Sequence, residues 1–556
     1  MPGEIVITDL RQCHPQEALE TRPTRDSWTV YPYESALASG YLLYAHHNGR
    51  APDLTLPCGV TGWHKVFLGV YCGHKVHELK LASRGVRIRL SEDLAFQEIG
   101  PEAMRSRETA FSWLDMYEIF WKAADMTGQD IVFGGGGRRD KTIAFVRLVP
   151  MNDQEIEQAK PNPENRRLIA HLNTYLGRDA YISDPVIYDS FGFDPARYDI
   201  LPLLRDSDFH LLLHDICWYD CGYYPTKLGT RWYSEEAPEV NSLGHWVDDV
   251  HDAGLQIYSA MRLGNFMLPF ETGYNVERPA SEFFLRHPQF WQKDANGVPL
   301  ARLSLAYPEV REHLVNVWRE QFDLYPFDGV HIMFNRCWPF VVYEDLPVKE
   351  FQDHYGKDPR SLENDDSRWL DSKAAYITQF VGQVRAMLDE VGGERQQRLG
   401  LAIRVLNNPL NCRLHGLNIP DLITKGWVDY LIPHPTWSPE RVGDPHITPQ
   451  DISQFAQLSA NSSCQLCPDV YPRQMPASEF RTKAANYYAA GADGLAFWDT
   501  ETRFNIYSQW KAIATLGHSG SLESEVNRLS SWFRKIPLVT FNGFSMDPRY
   551  SPQSSG

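Results

Sequence analysis

Residues 325–344 read YPFDGVHIMFNRCWPFVVYE, a short apolar strand that runs directly into a polar and aromatic loop ending in a carboxylate. A barrel strand that delivers functional groups at its carboxyl end has this form. Alternation from Asp328 to Arg336 puts Val330, Ile332 and Phe334 on one face and His331, Met333 and Asn335 on the other. One face is expected under helices. The other points into a lumen whose mouth carries Asn335, Arg336 and, beyond them, Glu344.

Working outward from this strand, the chain from residue 166 alternates strand-like runs with amphipathic helical stretches. The runs are RRLIAHLN (166–173), FHLLLHDIC (209–217), LQIYSAMR (255–262), DGVHIMFN (328–335), LGLAIRVL (399–406), VDYLIPH (428–434), SCQLCPD (463–469) and DGLAFWD (493–499). Stretches such as SLGHWVDDVHDAG and PEVREHLVNVWREQF, apolar at three and four spacing, lie between them. Eight such units predict an α/β chain built on a closed (β/α)8 TIM barrel over 166–520.

Before residue 152 the pattern differs. Short runs such as GYLLYAHHN, HKVFLGVYC, GVRIRLSED and KTIAFVRLVPM, separated by turn residues, predict an N-terminal β-sandwich over 1–151. Gly134 to Gly137, followed by Arg138 and Arg139, lacks a Walker lysine and a following helix, so it reads as a hairpin turn rather than a phosphate loop. The polar stretch 152–165, with two prolines, reads as a linker. Residues 521–556 read as a Ser-rich extension with a disordered end.

Composition narrows the function. At 556 residues and 43% hydrophobic the chain exceeds what one barrel needs. Lys plus Arg is 54 against 71 for Asp plus Glu, a net charge of 54 − 71 = −17 that argues against a nucleic-acid partner. Aromatic residues make up 13%, including 16 Trp, and aromatics in loops suit stacking on sugar rings. The opening MPGEIVITDLRQCHPQEAL has neither a basic region nor the apolar run of a secretory signal, and no long apolar span follows. Nine cysteines form no disulfide framework, and in SSCQLCPDV the thiols of Cys464 and Cys467 should point to opposite faces of a strand. The expectation is a soluble cytoplasmic chain with no membrane partner, its self-association undetermined.

The carboxyl ends of the strands collect His214, Asp215 and Tyr219, then Arg262, then Asn335, Arg336 and Glu344, then Arg404. The later strands add His434 and Trp437, Asp469, and Trp498, Asp499 and Glu501. Carboxylates, donors and flat aromatics on one rim make up a carbohydrate site. Glycoside hydrolysis needs two carboxyl groups about 5 to 9.5 Å apart, one protonated and one ionised. Glu344, in the apolar setting WPFVVYE, is the expected general acid, and Asp469 or Asp499 its ionised partner. The substrate-binding set is then His214, Asp215, Tyr219, Arg262, Asn335, Arg336, Arg404, His434, Trp437, Trp498 and Glu501, with neither metal nor cofactor. His331 reads as a satisfied core histidine. Two other classes stay open: a lyase on uronic acids, with Arg262, Arg336 and Arg404 clamping the carboxylate, and a catalytically silent carbohydrate-binding protein.

Residues 307–360, with YPEVREHLVNVWRE, FDGVHIMFNR and PFVVYEDLPVKEFQDHYGKDPR, resemble the bacterial family-10-like glycosyl hydrolase barrel proteins. The resemblance extends over about 165 to 515. It implies a barrel, an accessory sandwich in front of it and action on a glycan. Related barrels place an Asp where Met333 stands, so the chain departs from DGxxxD and Glu344 inherits the suspicion of catalysis.

Overall fold

A computed structural model describes residues 3–47, 49–71, 84–93, 96–99, 114–136, 140–160, 163–172, 200–231, 242–263, 281–336, 338–435, 447–473, 475–500, 503, 507–520, 522, 529, 532–547 and 549. The chain is mixed α/β. Its C-terminal two-thirds contain parallel strands Leu168–Leu172, Phe209–Trp218, Gln256–Arg262, Gly329–Met333, Gly400–Val405, Tyr430–Pro433, Gln465–Leu466 and Leu495–Phe497. Each falls on one of the runs read from the sequence. Each of the first six pairs in parallel with its successor, and the first also pairs with the eighth. The seventh is short because Pro468 follows it and has no N–H to donate. It reaches the eighth through a single bridge, Asp469 to Ala496, and through Val470 N donating to Ala496 O at 2.9 Å.

Period-two alternation sorts the side chains. Val330, Ile332 and Phe334 pack outward with Leu314, Val317 and Trp318 of the helix Pro308–Leu324. Leu399, Leu401, Ile403 and Val405 join the same cluster. On the inner face Ile169, Leu211, Leu213, Tyr258, Ala402 and Ile432 form a separate apolar plug. Tyr258 fills the space beside two glycines: a Cβ on Gly400 would lie 1.7 Å from its Oη, so only glycine fits there. Above the plug, toward the carboxyl ends, Met333 meets Ala260 and Trp498. Cys464 lies in the outer cluster and Cys467 in the plug, on opposite faces as their spacing predicts.

The N-terminal part holds two mainly antiparallel sheets. The smaller runs Leu54–Leu56, Ile131–Phe133, Val86–Leu90, Gln97–Ile99. Its Leu54, Ile88 and Phe133 share a core with Leu43, Leu68, Trp121 and Val146 of the larger sheet. The glycine run after Phe133 is not a hairpin: Ile131–Phe133 belongs to the small sheet and Lys141–Ile143 to the large one, so the run carries the chain between sheets. Residues 137–139 lie outside the described residues.

Two segments behave differently from their sequence reading. Within 152–165 a helix forms, Asp153–Ala159, because Asn152 and Glu155 make a reciprocal capping box. Glu155 also holds Lys65 of the large sheet at 2.6 Å. After 520 the strand Phe533–Phe541 enters the large sheet between Asp115–Asp125 and Trp28–Ser35. Charge complementarity seats it. Buried Glu118 accepts from Arg147 Nε at 2.7 Å and from Arg534 Nη2 at 3.0 Å, and Lys535 lies 2.8 Å from Asp115. The last residues, 550–556, lie outside the described residues. Among the described residues no helix is long and apolar enough to cross a membrane.

Candidate active site

Inner-face alternation carries one polar group from nearly every parallel strand to the same end. Ile169 belongs to the plug, so His171 two residues on faces the same way. In like manner Leu211 and Leu213 lead to Asp215, and Ala402 leads to Arg404. His331, Asn335, His434, Asp469 and Trp498 complete a buried polar layer.

The layer is one connected network. Asp215 Oδ2 accepts from Arg262 Nε at 2.8 Å, and its Oδ1 lies 2.8 Å from His171 Nε2. Arg404 Nη1 donates to His171 Nδ1. That donor assigns the neutral tautomer of His171, with the proton on Nε2 and directed at Asp215. Arg404 Nε sits 3.1 Å from Asp469 Oδ2, which also accepts from His434 Nδ1 at 2.7 Å. Asp469 Oδ1 accepts from the Trp498 backbone N–H at 3.0 Å. Arg473 pairs with Asp499, which ends the eighth strand with a left-handed backbone, φ 51°.

The carboxyl groups are pushed apart electrostatically. Burial lifts Asp215 to about 6, against the opposing pull of Arg262, His214 and Arg404. Burial also raises Asp499, where Arg473 and Arg262 pull down and the nearby Asp215 charge pushes up. Asp469 goes the other way: burial opposes its ionisation, but Arg404 and His434 outweigh it and hold the carboxylate well below its usual range. His434 is pushed down to about 4 by burial. His171 and His331 are lowered well below the ordinary histidine value by burial and the Arg404 charge.

Several buried polar atoms at this end have no hydrogen-bond partner: both ring nitrogens of His331, both amide atoms of Asn335, Nη2 of Arg262 and of Arg404, and Nε1 of Trp498. Each such group costs on the order of 1–3 kcal/mol when left unmade. Their concentration at one end of the strands is what a polyhydroxylated ligand would satisfy. His331 is thus buried, but not the satisfied core histidine expected. Trp498 is 1% exposed, with Arg404 4.5 Å, Arg336 5.1 Å and Arg262 5.5 Å from its ring centroid and His434 4.9 Å away. Its ring therefore organises guanidinium groups and is not an open platform for a sugar.

Other expected site residues lie elsewhere. Glu344 is fully buried at the start of the helix Asp345–Tyr355, where its carboxylate accepts from Val342 N at 2.9 Å and is stabilised further by Ser304 and Lys373. Burial raises it to about 7, as its apolar setting predicts, but none of its recorded partners belongs to the Asp215–Arg404–Asp469 network. Its contacts are with Val342, Ser304 and Lys373, and the expected pairing with Asp469 or Asp499 is not among them. His214 faces outward, accepting from Trp246 Nε1 at 3.1 Å, because it is one residue out of register with Asp215. Tyr219 is buried in the outer hydrophobic cluster. Trp437 and Glu501 lie outside the described residues.

Sequence reasoning missed His171, although its two-residue spacing from Ile169 in the strand Leu168–Leu172 was the available signal. It also missed His46, His47 and Asp140 in the N-terminal part, whose potential metal-ligating atoms lie within 4.8 Å of one another. His47 Nδ1 is 2.8 Å from Asp140 there, and the three come together only through tertiary pairing.

No family model and no curated protein matches the chain, so the family-10-like resemblance rests on its own motifs. Solved structures similar to it include glycoside hydrolases. They include the PgaB (BpsB) glycoside hydrolase domain from Bordetella bronchiseptica, 15% identical, covering 62% of this chain and 96% of that one at a TM-score of 0.42. The catalytic domain of β-amylase from Paenibacillus polymyxa is 11% identical, covering 65% and 98% at 0.41. A GH18 chitinase from Pseudoalteromonas aurantia is 11% identical, covering 63% and 99% at 0.34. Likenesses this weak decide neither the fold nor the reaction.

Proposed function

We propose that this protein is a glycoside hydrolase acting on an oligo- or polysaccharide at the carboxyl ends of its parallel strands. In this reading the eight strands close into a (β/α)8 barrel through the Asp469–Ala496 bridge, and the two facing N-terminal sheets form a β-sandwich. The observation that carries the function is the buried network in which Asp215 is lifted toward neutrality and Asp499 interacts with it, ringed by unpartnered donors. Asp215 is the proton donor to the leaving oxygen. Asp499, on the strained end of the eighth strand, is the ionised partner that attacks the anomeric carbon or activates water. Asp469 is a fixed anion that orients Arg404 and His434. Asn335 and His331 bind hydroxyls, Arg336 stands at the mouth, and Arg262 holds Asp215.

The test is a glycan panel with product analysis on the wild type, Asp215→Asn and Asp499→Asn. Loss of product in both variants, with unfolding still cooperative, supports the reading; wild-type turnover in either one removes that residue's role. A catalytically silent binding protein is the second reading, favoured by the ion pair each aspartate makes, Asp215 with Arg262, Asp469 with Arg404 and Asp499 with Arg473. It requires binding without product from any glycan.

A further inference from the structure

His46, His47 and Asp140 form the one cluster of three potential metal ligands among the described residues, with a ligand atom of each within 4.8 Å of the other two. Neighbouring strands of the large sheet build it. The strand Ser39–Ala45 ends just before His46, and Asp140 stands just before Lys141–Ile143, whose Lys141 is the register partner of Ala45. Antiparallel pairing thus carries both histidines to the residue that opens the next strand. Backbone hydrogen bonds hold each side: Gly49 N donates to His46 O at 3.0 Å, and Gly85 N donates to Asp140 O at 3.0 Å. The His46 and His47 rings stack with centroids 4.3 Å apart. Asp140 Oδ1 accepts from the backbone N–H of His47 at 3.0 Å and lies 2.8 Å from His47 Nδ1. Arg84 sits by the other carboxylate oxygen, its Nε 3.9 Å from Oδ2, so Oδ1 is the oxygen turned to the histidines. The Tyr44 hydroxyl bonds the same carboxylate. All three residues are half-buried.

We infer that these residues bind one divalent transition-metal ion, zinc by preference, with water in the remaining coordination position. Two imidazole nitrogens and one carboxylate oxygen suit zinc and put calcium and magnesium, which take oxygen ligands, at a disadvantage. Bonds of about 2.0–2.2 Å around a tetrahedral ion set its ligand atoms about 3.4 Å apart, so closing on the ion takes side-chain shifts of about 1 Å. The His47 N–H and the Tyr44 hydroxyl already orient the carboxylate, as the outer partners of a metal ligand do. Such an ion ties the end of one strand to the start of the next, where the chain arrives from the small sheet, so its binding stabilises the fold. The site shares no residue with the Asp215–Arg404–Asp469 network and stands independently of the hydrolase reading.

The experiment is calorimetric titration of the full, untagged chain, first stripped with a chelator, with zinc, calcium and magnesium chlorides, in the wild type, Asp140→Asn and His46→Gln. One tightly bound zinc per chain is expected, at least about tenfold weaker in each variant, because losing a group that merely orients a ligand already costs that much. His46→Gln keeps the His47–Asp140 contact and so decides the matter if Asp140→Asn fails to fold. Zinc should also raise the wild-type melting temperature and leave that of His46→Gln nearly unmoved. In the wild type alone, zinc should slow the modification of His46 and His47 by diethyl pyrocarbonate, read by peptide mass mapping. A wild type that binds no zinc overturns the inference, as does a tight zinc that His46→Gln leaves unmoved. Calcium or magnesium displacing an equal concentration of zinc overturns it too, and so do histidines modified as fast with zinc as without.

Discussion

Replacing Asp215 by Asn should make the protein inactive and, in alkaline solution, more stable than the wild type. Asp215 is fully buried, and its pKa is lifted from 3.8 to about 6. The lift of 6 − 3.8 = 2.2, at about 1.4 kcal/mol per pH unit, amounts to about 3 kcal/mol. The sign follows from which form the fold disfavours. Because the folded pKa exceeds the unfolded one, the contribution of the neutral carboxyl to stability is complete below the unfolded value of 3.8 and is lost as pH rises through about 6. Asparagine mimics the neutral acid and suffers no such loss. Urea unfolding of both proteins at about pH 4 and about pH 8 should therefore show the stability difference growing, in favour of the variant, by most of that about 3 kcal/mol. Product release should drop by about 10²–10⁴-fold, the usual contribution of a positioned general acid. Wild-type turnover should itself decline as pH rises through about 6, with the deprotonation of Asp215. A stability difference that stays flat with pH would refute the electrostatic reasoning, and wild-type turnover in the variant would refute the catalytic role.

Asp469→Asn is expected to destabilise by about 3–5 kcal/mol in denaturant unfolding, because it strips Arg404 of its buried anion; a loss under about 1 kcal/mol would show that the network does not need it. In the wild type the same depressed carboxylate contributes stability that is present above the ordinary aspartate pKa and disappears only in strong acid. Glu344→Gln should retain activity within about twofold in steady-state assays, since Glu344 stands outside the network, and should gain stability relative to wild type above about pH 7, where wild-type Glu344 must ionise in a buried site. Ending the chain at residue 520 should lower the melting temperature or abolish soluble expression by removing the strand Phe533–Phe541 from inside the large sheet. An unchanged melting temperature would mean the N-terminal sheets close without that strand.

The strand runs, their order and the face each side chain takes were legible in the sequence, because alternation is a local rule: Val330 and Ile332 outward and Arg404 inward follow from the pleat alone. The same rule could have assigned His214 and Asp215 to opposite faces, and His171 to the inner one. Local chemistry also predicted the raised pKa of Glu344, since an apolar surrounding lifts a carboxyl wherever the chain puts it. It could not predict which side chains Glu344 meets, Ser304 and Lys373 from distant parts of the chain. Nor could it show that Phe533–Phe541 crosses back into the first sheet, beside residues more than four hundred positions earlier. Which carboxyl group sits among the arginines was left to tertiary structure, for a physical reason: a carboxyl group's protonation depends on which charges lie within a few ångströms, and for Asp215 those charges include Arg262 and Arg404, on two other strands.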